Sequence, residues 1–386
     1  MHGLNIYFKN GQTEIIKMIP LYKIHWDNND IEAVSAAIRE GMYWAGGANI
    51  EKFEEMIAEY MGVKGVVTFN SGTSALHALL LAHGISSEDE VIVPSFTFIA
   101  TANCVKMTGA APVFADIEPV TCGLDIADVE SKITDRTVAI ILVHYAGMPA
   151  LNTIELMDMA KKYGLLFFED AAESMGAVIG SRKTGSFGTG AILSFCSNKI
   201  ITTGEGGAAL TNSGEIYEKL KLIRSHGRSE TVNYFESTGT PNYITLGYNY
   251  RMSNITAALG ISQIQKIDWL INMRRHNAWL LSQKLSRVSG IVLSLNGIYQ
   301  MYSIRVEDGQ RDALQKYLAA KGISSKVFFE PPVHLTPYYK SLGYNCSLPV
   351  TEQVSQQVLS LPMYPDMRQG EIDYIARSVI KFFGGN

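Results

Sequence analysis

Very short apolar runs interleave regularly with helical stretches across the first half of the chain, and this leaves few folds open. Residues 66–69, 91–93, 113–114, 139–143, 165–168 and 192–195 are brief, rich in β-branched and aromatic side chains, and free of charge. Runs of this kind read as strands covered on both faces. Between them lie helical patterns such as 75–82 and 154–162, the latter with Ile154, Leu156, Met157 and Ala160 as its apolar positions. Strand–helix alternation predicts an α/β layer structure around a mostly parallel central sheet. In such sheets ligands gather at the carboxyl ends of the strands.

The texture changes after about residue 261. A long helix is expected over 264–285, strand material over 291–306, a helix over 311–321, a strand over 324–329 and a last helix over 369–382. That pattern predicts a smaller C-terminal α+β domain joined to the first through a helix. Composition agrees with a two-domain globular chain: of 386 residues, 47% are hydrophobic and 18% charged, which excludes a disordered chain. A net charge of −4 offers no basic surface for nucleic acid or an anionic membrane. The four cysteines, Cys104, Cys122, Cys196 and Cys346, form no CxxC pair, so no metal site is expected from them. No run of about 18 apolar residues is present. The first residues also lack the pattern of a secretory signal, so a cytoplasmic location is expected.

Three segments carry chemistry. Asn70-Ser71-Gly72-Thr73-Ser74 links a strand to a helix, where glycine, hydroxyls and helix-start amides can cradle an anion; a plain N-cap with a turn glycine is the alternative. Glu169-Asp170-Ala171-Ala172-Glu173 places an acid at the end of a buried strand, where a carboxylate needs a positive partner or caps a helix. Lys199 follows the strand at 192–195 and precedes the glycine-rich Gly204-Glu205-Gly206-Gly207. A partly desolvated lysine can attack a carbonyl to form a Schiff base. Phosphate cradle, buried acid and lysine together are the parts needed for pyridoxal phosphate.

These segments resemble the DegT/DnrJ/StrS family of sugar aminotransferases, which are fold-type I pyridoxal-phosphate enzymes. The similarity starts near Ile19-Pro20-Leu21 and runs in order through NSGTSALHALL, DEVIVPSFTFIATAN, PVFADIEP, FFEDAAESMGA and SFCSNKIITTGEGG. It continues through LGYNYRMSNITAALGISQ to PVHLTPYY and VLSLPMYP. The resemblance implies an aspartate aminotransferase-like three-layer sandwich, with a large cofactor-binding domain over 18–262 and a small domain over 263–386. Residues 1–17 precede the similarity and are read as an N-terminal extension.

Residue by residue, the resemblance implies that Lys199 holds the cofactor aldehyde as an imine and that Asp170 pairs with the pyridinium nitrogen. Gly72, Thr73 and Ser194 would bind the phosphate, and Phe96 would stack on the ring, a plain core phenylalanine being the alternative for it. Asn249 would reach the phosphate from the neighbouring subunit of a homodimer. Glu173 stands where many relatives carry Gln or His beside the cofactor's phenolic oxygen; there it either shares a proton or turns toward the substrate. His334 resembles a position near the substrate entrance, and as a lone histidine it reads as structural.

The implied reaction is transamination of a nucleotide-diphosphate-linked keto-sugar, with L-glutamate as amino donor. A non-nucleotide cyclic ketone is an alternative substrate. A regulator on the same fold is a second alternative, against which Lys199, Asp170 and the lack of a helix-turn-helix addition speak. Substrate contacts are expected from loops 41–47 and 231–243.

Overall fold

The computed structural model describes residues 4–9, 12–229, 240–294 and 297–384. The chain opens with a hairpin of β1 (Leu4–Lys9) and β2 (Gln12–Lys17), followed by helices α1 (Asn28–Arg39) and α2 (Ala48–Met61). The sheet region then runs β3 (Gly65–Phe69), α3 (Gly72–Ala82), β4 (Glu90–Pro94), α4 (Ala100–Met107), β5 (Ala111–Ala115), α5 (Ile126–Ser131), β6 (Thr137–Val143), α6 (Thr153–Tyr163) and β7 (Leu166–Asp170). A two-stranded excursion, β8 (Val178–Ile179) and β9 (Arg182–Lys183), precedes β10 (Gly190–Ser194), β11 (Gly207–Thr211), α7 (Gly214–Arg224), α8 (Asn254–Ile264) and α9 (Ile267–Leu285). The last part contains β12 (Ile291–Leu293), β13 (Tyr302–Val306), α10 (Arg311–Ala320), α11 (Pro337–Ser341), α12 (Pro349–Gln357), β14 (Val358–Leu361) and α13 (Gln369–Phe382).

Seven strands form the central sheet in the order β3-β11-β10-β7-β6-β4-β5. β10, β7, β6, β4 and β5 pair in parallel, while β11 is antiparallel to both β10 and β3. Side chains alternate between faces. On one face Val67, Val93, Ile141, Phe168 and Ile192 join a core with α3, α4 and α7. On the other, Ile92, Ile140, Leu142 and Phe167 pack with α6, and Val66, Leu193 and Leu210 with α2 and α9. Both faces are therefore covered, which explains why these strands read as unbroken apolar runs rather than alternating ones. The mostly parallel three-layer α/β architecture expected above is the observed one.

α9 bridges two cores: Ile267, Leu270 and Ile271 pack beneath the large sheet, and Ala278, Leu281 and Leu285 pack with the antiparallel sheet β12-β13-β14. The chain crosses between the cores twice more. Ile19 lies in the C-terminal core, whereas Val333, Tyr339 and Leu348 lie in the core of the large sheet.

The helix expected over 264–285 is α9, which begins at Ile267; Lys266, in the turn before it, bonds Asp27 and Asp30 through its ammonium, each at 2.8 Å. One expectation needs correction. The strand over 324–329 is reduced to an isolated bridge between Lys326 and Ser360, and Pro331 and Pro332, which lack an N–H, follow it. Among the described residues no helix is long and apolar enough to cross a membrane.

Candidate active site

The carboxyl ends of β3, β4, β6, β7 and β10 lie along one edge of the sheet, and the chemistry-bearing segments all leave from that edge. Beyond β3, Ser71 caps α3 by accepting the Ser74 amide at 3.0 Å. The amides of Gly72 and Thr73 open the helix and have no intrahelical acceptor. Their position is tight: a Cβ on Gly72 would lie 3.1 Å from the Ser194 Cβ, and one on Gly207 would lie 2.4 Å from the Gly72 nitrogen. Gly72 and Ser194 therefore face each other, and Gly207, at the start of β11, lets the cradle settle onto the sheet.

Asp170 ends β7 on the face shared with Phe168. It accepts Thr101 Oγ1 at 2.9 Å and the Ala172 amide at 3.2 Å, and Thr97 Oγ1 lies 2.9 Å from Thr101 Oγ1. Burial pushes its carboxyl above the usual aspartate range, and the two hydrogen bonds and the charge of Lys199 offset only part of that. No ion pair reaches it among the described residues. A buried acid in this state is best satisfied by a cation placed against it.

Lys199 sits in the turn after β10, largely covered. Its Nζ is 3.3 Å from Glu173 Oε1, and Glu173 Oε2 accepts the Ala146 amide at 2.8 Å. Glu173 is thus aimed at the lysine by a backbone donor, a third orientation beside the two expected for it. Ala146 has the left-handed backbone φ 57°, ψ 14°, uncommon for a residue with a Cβ.

The assignment of Phe96 is corrected. Its ring is 0% exposed, enclosed by Tyr145 at 5.0 Å and Phe329 at 5.9 Å between centroids, so no face remains for a cofactor. Phe98, two residues on, is 62% exposed and lies one helical turn before Thr101, the partner of Asp170. It is the aromatic at this edge with a free face. His334 is fully buried and structural: Nδ1 lies 2.6 Å from Ser95 Oγ, and Nε2 lies 3.4 Å from Glu352. Asn249 is exposed, and its backbone oxygen accepts Asn70 Nδ2 at 3.4 Å, beside the cradle. Of the expected substrate loops, 41–47 leads from α1 into α2, whereas 231–239 lies outside the described residues.

Sequence reasoning missed Phe98, Thr101 and Ala146. Phe98 stands in the sequence as the second aromatic of PSFTF, but nothing local ranks it above Phe96, and the turn at Ala146 has no local signature. The residues fit pyridoxal phosphate: a narrow amide-and-hydroxyl cradle for an anion, a buried acid short of a cation, and a covered lysine, all on one edge. Fold and site together define a pyridoxal-phosphate-dependent aminotransferase of fold type I.

Comparison with known proteins narrows this class. Residues 25–380 match the model of the DegT/DnrJ/EryC1/StrS aminotransferase family, and the chain belongs to that family. The GDP-perosamine synthase of Caulobacter vibrioides is 37% identical over 358 residues, covering 90% of this chain and 94% of the relative. The Helicobacter pylori aminotransferase PseC, involved in the biosynthesis of pseudoaminic acid, superposes with a TM-score of 0.89 at 29% identity, covering 95% of this chain and 99% of that one. The PLP form of the putative sugar aminotransferase Spr1654 of Streptococcus pneumoniae gives 0.87 at 25% identity, covering 95% and 98%.

Proposed function

We propose that the protein transfers an amino group from L-glutamate to a nucleotide-diphosphate-linked keto-sugar, and that a GDP-linked sugar is the first substrate to try. The observation that carries this reading is the buried, cation-short Asp170 on the same strand-end edge as Lys199 and the Gly72–Ser194 cradle. The relatives named above support the sugar-nucleotide class.

When bound, pyridoxal phosphate supplies an aldehyde that takes up the amino group and a ring that absorbs the electrons released when a carbon–hydrogen bond breaks. Gly72, Thr73 and Ser194 hold the phosphate through amides and a hydroxyl. Asp170 keeps the ring nitrogen protonated, and that charge offsets the cost of burying the acid. Phe98 covers one face of the ring and limits water there. Lys199 anchors the aldehyde between turnovers, and its freed amine moves the proton from the donor's Cα as general base and then general acid.

Two further parts belong to this reading. The chain divides into a cofactor domain, 18–262, and a closing domain, 263–386, with the crossings at Ile19 and at 333–348 tying them together. It works as a homodimer in which Asn249 reaches the partner's phosphate site. Trp26, Met42, Trp44, Ile244 and Leu246 are large apolar side chains left exposed on the single chain, as expected of a surface awaiting a second copy.

The test is a panel of keto-sugar nucleotides offered to cofactor-loaded protein with glutamate. Formation of an amino-sugar nucleotide together with 2-oxoglutarate is expected. Amination of a simple cyclic ketone but of no nucleotide-linked sugar would replace this substrate class.

A further inference from the structure

Glu173 is not simply a polar neighbour of the cofactor lysine; its setting is built from three directions. From β6, the turn after Val143 places Ala146 in a left-handed conformation, and its amide holds Glu173 Oε2 at 2.8 Å. The root of that turn is locked by a buried pair. Ala150 donates its amide to His144 Nδ1 at 3.0 Å, which assigns the ring proton to Nε2, and Nε2 then donates to Glu169 at 3.0 Å.

From the C-terminal domain, the segment after β12 pairs with the same turn. Ile298 donates to the Gly147 oxygen at 3.0 Å and Met301 to the Ala146 oxygen at 3.3 Å. Gly147 is required there, since a Cβ would lie 2.8 Å from Ile298 Cγ1 and 2.9 Å from the Gln300 nitrogen. On the lysine side, Gln300 Nε2 donates to the Asn198 oxygen at 2.5 Å, at the peptide next to Lys199. Buried Arg274 pins this segment through the oxygens of Tyr299 and Gln300, at 3.3 and 3.4 Å. One segment thus bonds both the turn that aims Glu173 and the peptide that carries Lys199.

We infer that Glu173 is a catalytic residue that stabilises Lys199 while the lysine carries the substrate's proton, and that Gln300 is a positioning residue that keeps the two in register. This rests on the reading of Lys199 as the cofactor lysine. One proton is involved: the neutral amine takes it from the substrate carbon, becoming an ammonium against the Glu173 carboxylate, and then gives it up to return to the neutral amine. A left-handed backbone is unfavourable for alanine, and its amide is the donor that keeps the carboxylate at hand. The other charged or titratable groups around the pair are Asp170 from β7 and Tyr145 from the turn, both in electrostatic reach of Glu173.

The test labels the cofactor-free chain with an amine-acylating reagent at pH 8 and reads the rate at Lys199 by peptide mass, with Lys183 as the internal reference. Glu173→Gln keeps the shape and removes the carboxylate that stands 3.3 Å from the Lys199 ammonium, so Lys199 is expected to acylate roughly tenfold faster. Gln300→Met, which leaves the charge and loosens the register, is expected to give about a threefold increase, and it serves as the independent variant if Glu173→Gln does not fold. In the loaded Glu173→Gln enzyme, the kinetic isotope effect with Cα-deuterated glutamate is expected to rise. An unchanged Lys199 rate and isotope effect in Glu173→Gln would overturn the role of Glu173, and an unchanged rate in Gln300→Met would overturn the positioning role. Failure of the underlying reading looks different: the wild-type chain would then take up cofactor without attaching it to Lys199.

Discussion

Glu169 and Asp170 are consecutive acids on β7, yet they face opposite sides of the sheet and live in opposite environments. Glu169 points to the α6 side, is 0% exposed, and is saturated: it accepts His144 at 3.0 Å and the amides of Gly185, Phe187 and Gly188 at 2.7, 2.6 and 2.9 Å. Burial alone would raise its pKa, but the bonds from His144 and the glycine amides outweigh that and hold the carboxyl below the usual glutamate range. Asp170 points to the α3 side with only two donors, and there burial wins. One acid is finished by the fold, and the other is left for a ligand to finish. Buried charge is tolerated where it is fully partnered, so an under-partnered one marks the place where the chain is built for something else.

The contrast can be broken by exchanging the acids' charge. Asp170→Asn is expected to lower kcat by about 10²–10⁴-fold, the scale of losing a proton-managing group, while the cofactor-free chain melts no lower than wild type. Steady-state kinetics and thermal unfolding of the same preparation check both halves, and a drop in melting temperature matching the lost activity would contradict the assignment. Glu169→Ala should do the reverse in kind, costing about 3–5 kcal/mol of stability because it orphans His144 and three buried amides. Urea unfolding reads this directly; a variant as stable as wild type would show that the network is dispensable.

The neighbouring aromatics sharpen the same distinction between a filled side and an open one. Phe96→Ala should cost about 3 kcal/mol of stability through the cavity it leaves. Phe98→Ala should leave unfolding nearly unchanged and weaken cofactor retention by about tenfold, from lost ring contact of about 0.5–1.5 kcal/mol beyond area burial. Equilibrium dialysis of both variants decides this, and equal retention would return the stacking role to neither residue.

The smallest effect is on pH dependence. A carboxyl with a raised folded pKa contributes stability that is full below its unfolded value of about 3.9 and is lost as pH rises through the folded value. For Glu169, whose folded pKa is lowered, the contribution is full above about 4.3 and is lost as pH falls through the folded value. The cofactor-free wild type should therefore lose stability relative to Asp170→Asn as pH rises from 3.5 through the raised Asp170 value. Parallel stability curves for the two chains would contradict the raised pKa.

How much of this could be read in advance follows the same division. The strand ends, the Gly72 cradle, Asp170 and Lys199 were legible because short apolar runs delimit strands and ligands collect at their carboxyl ends. The choice between Phe96 and Phe98 was not, because the chain leaves regular strand geometry after Pro94 and its alternation can no longer be followed. Nor was the donor to Glu173: a left-handed Ala146 is imposed by the His144–Glu169 pair and by the segment at 298–301, more than 120 residues from Glu173. Contacts of that range leave no periodic trace in one sequence.

The most direct test of the central claim is borohydride reduction of the cofactor-loaded protein followed by peptide mass analysis. A single stable pyridoxyl addition on Lys199 is predicted, absent once excess glutamate has been turned over. An addition on any other lysine, or none at all, would contradict the site described here.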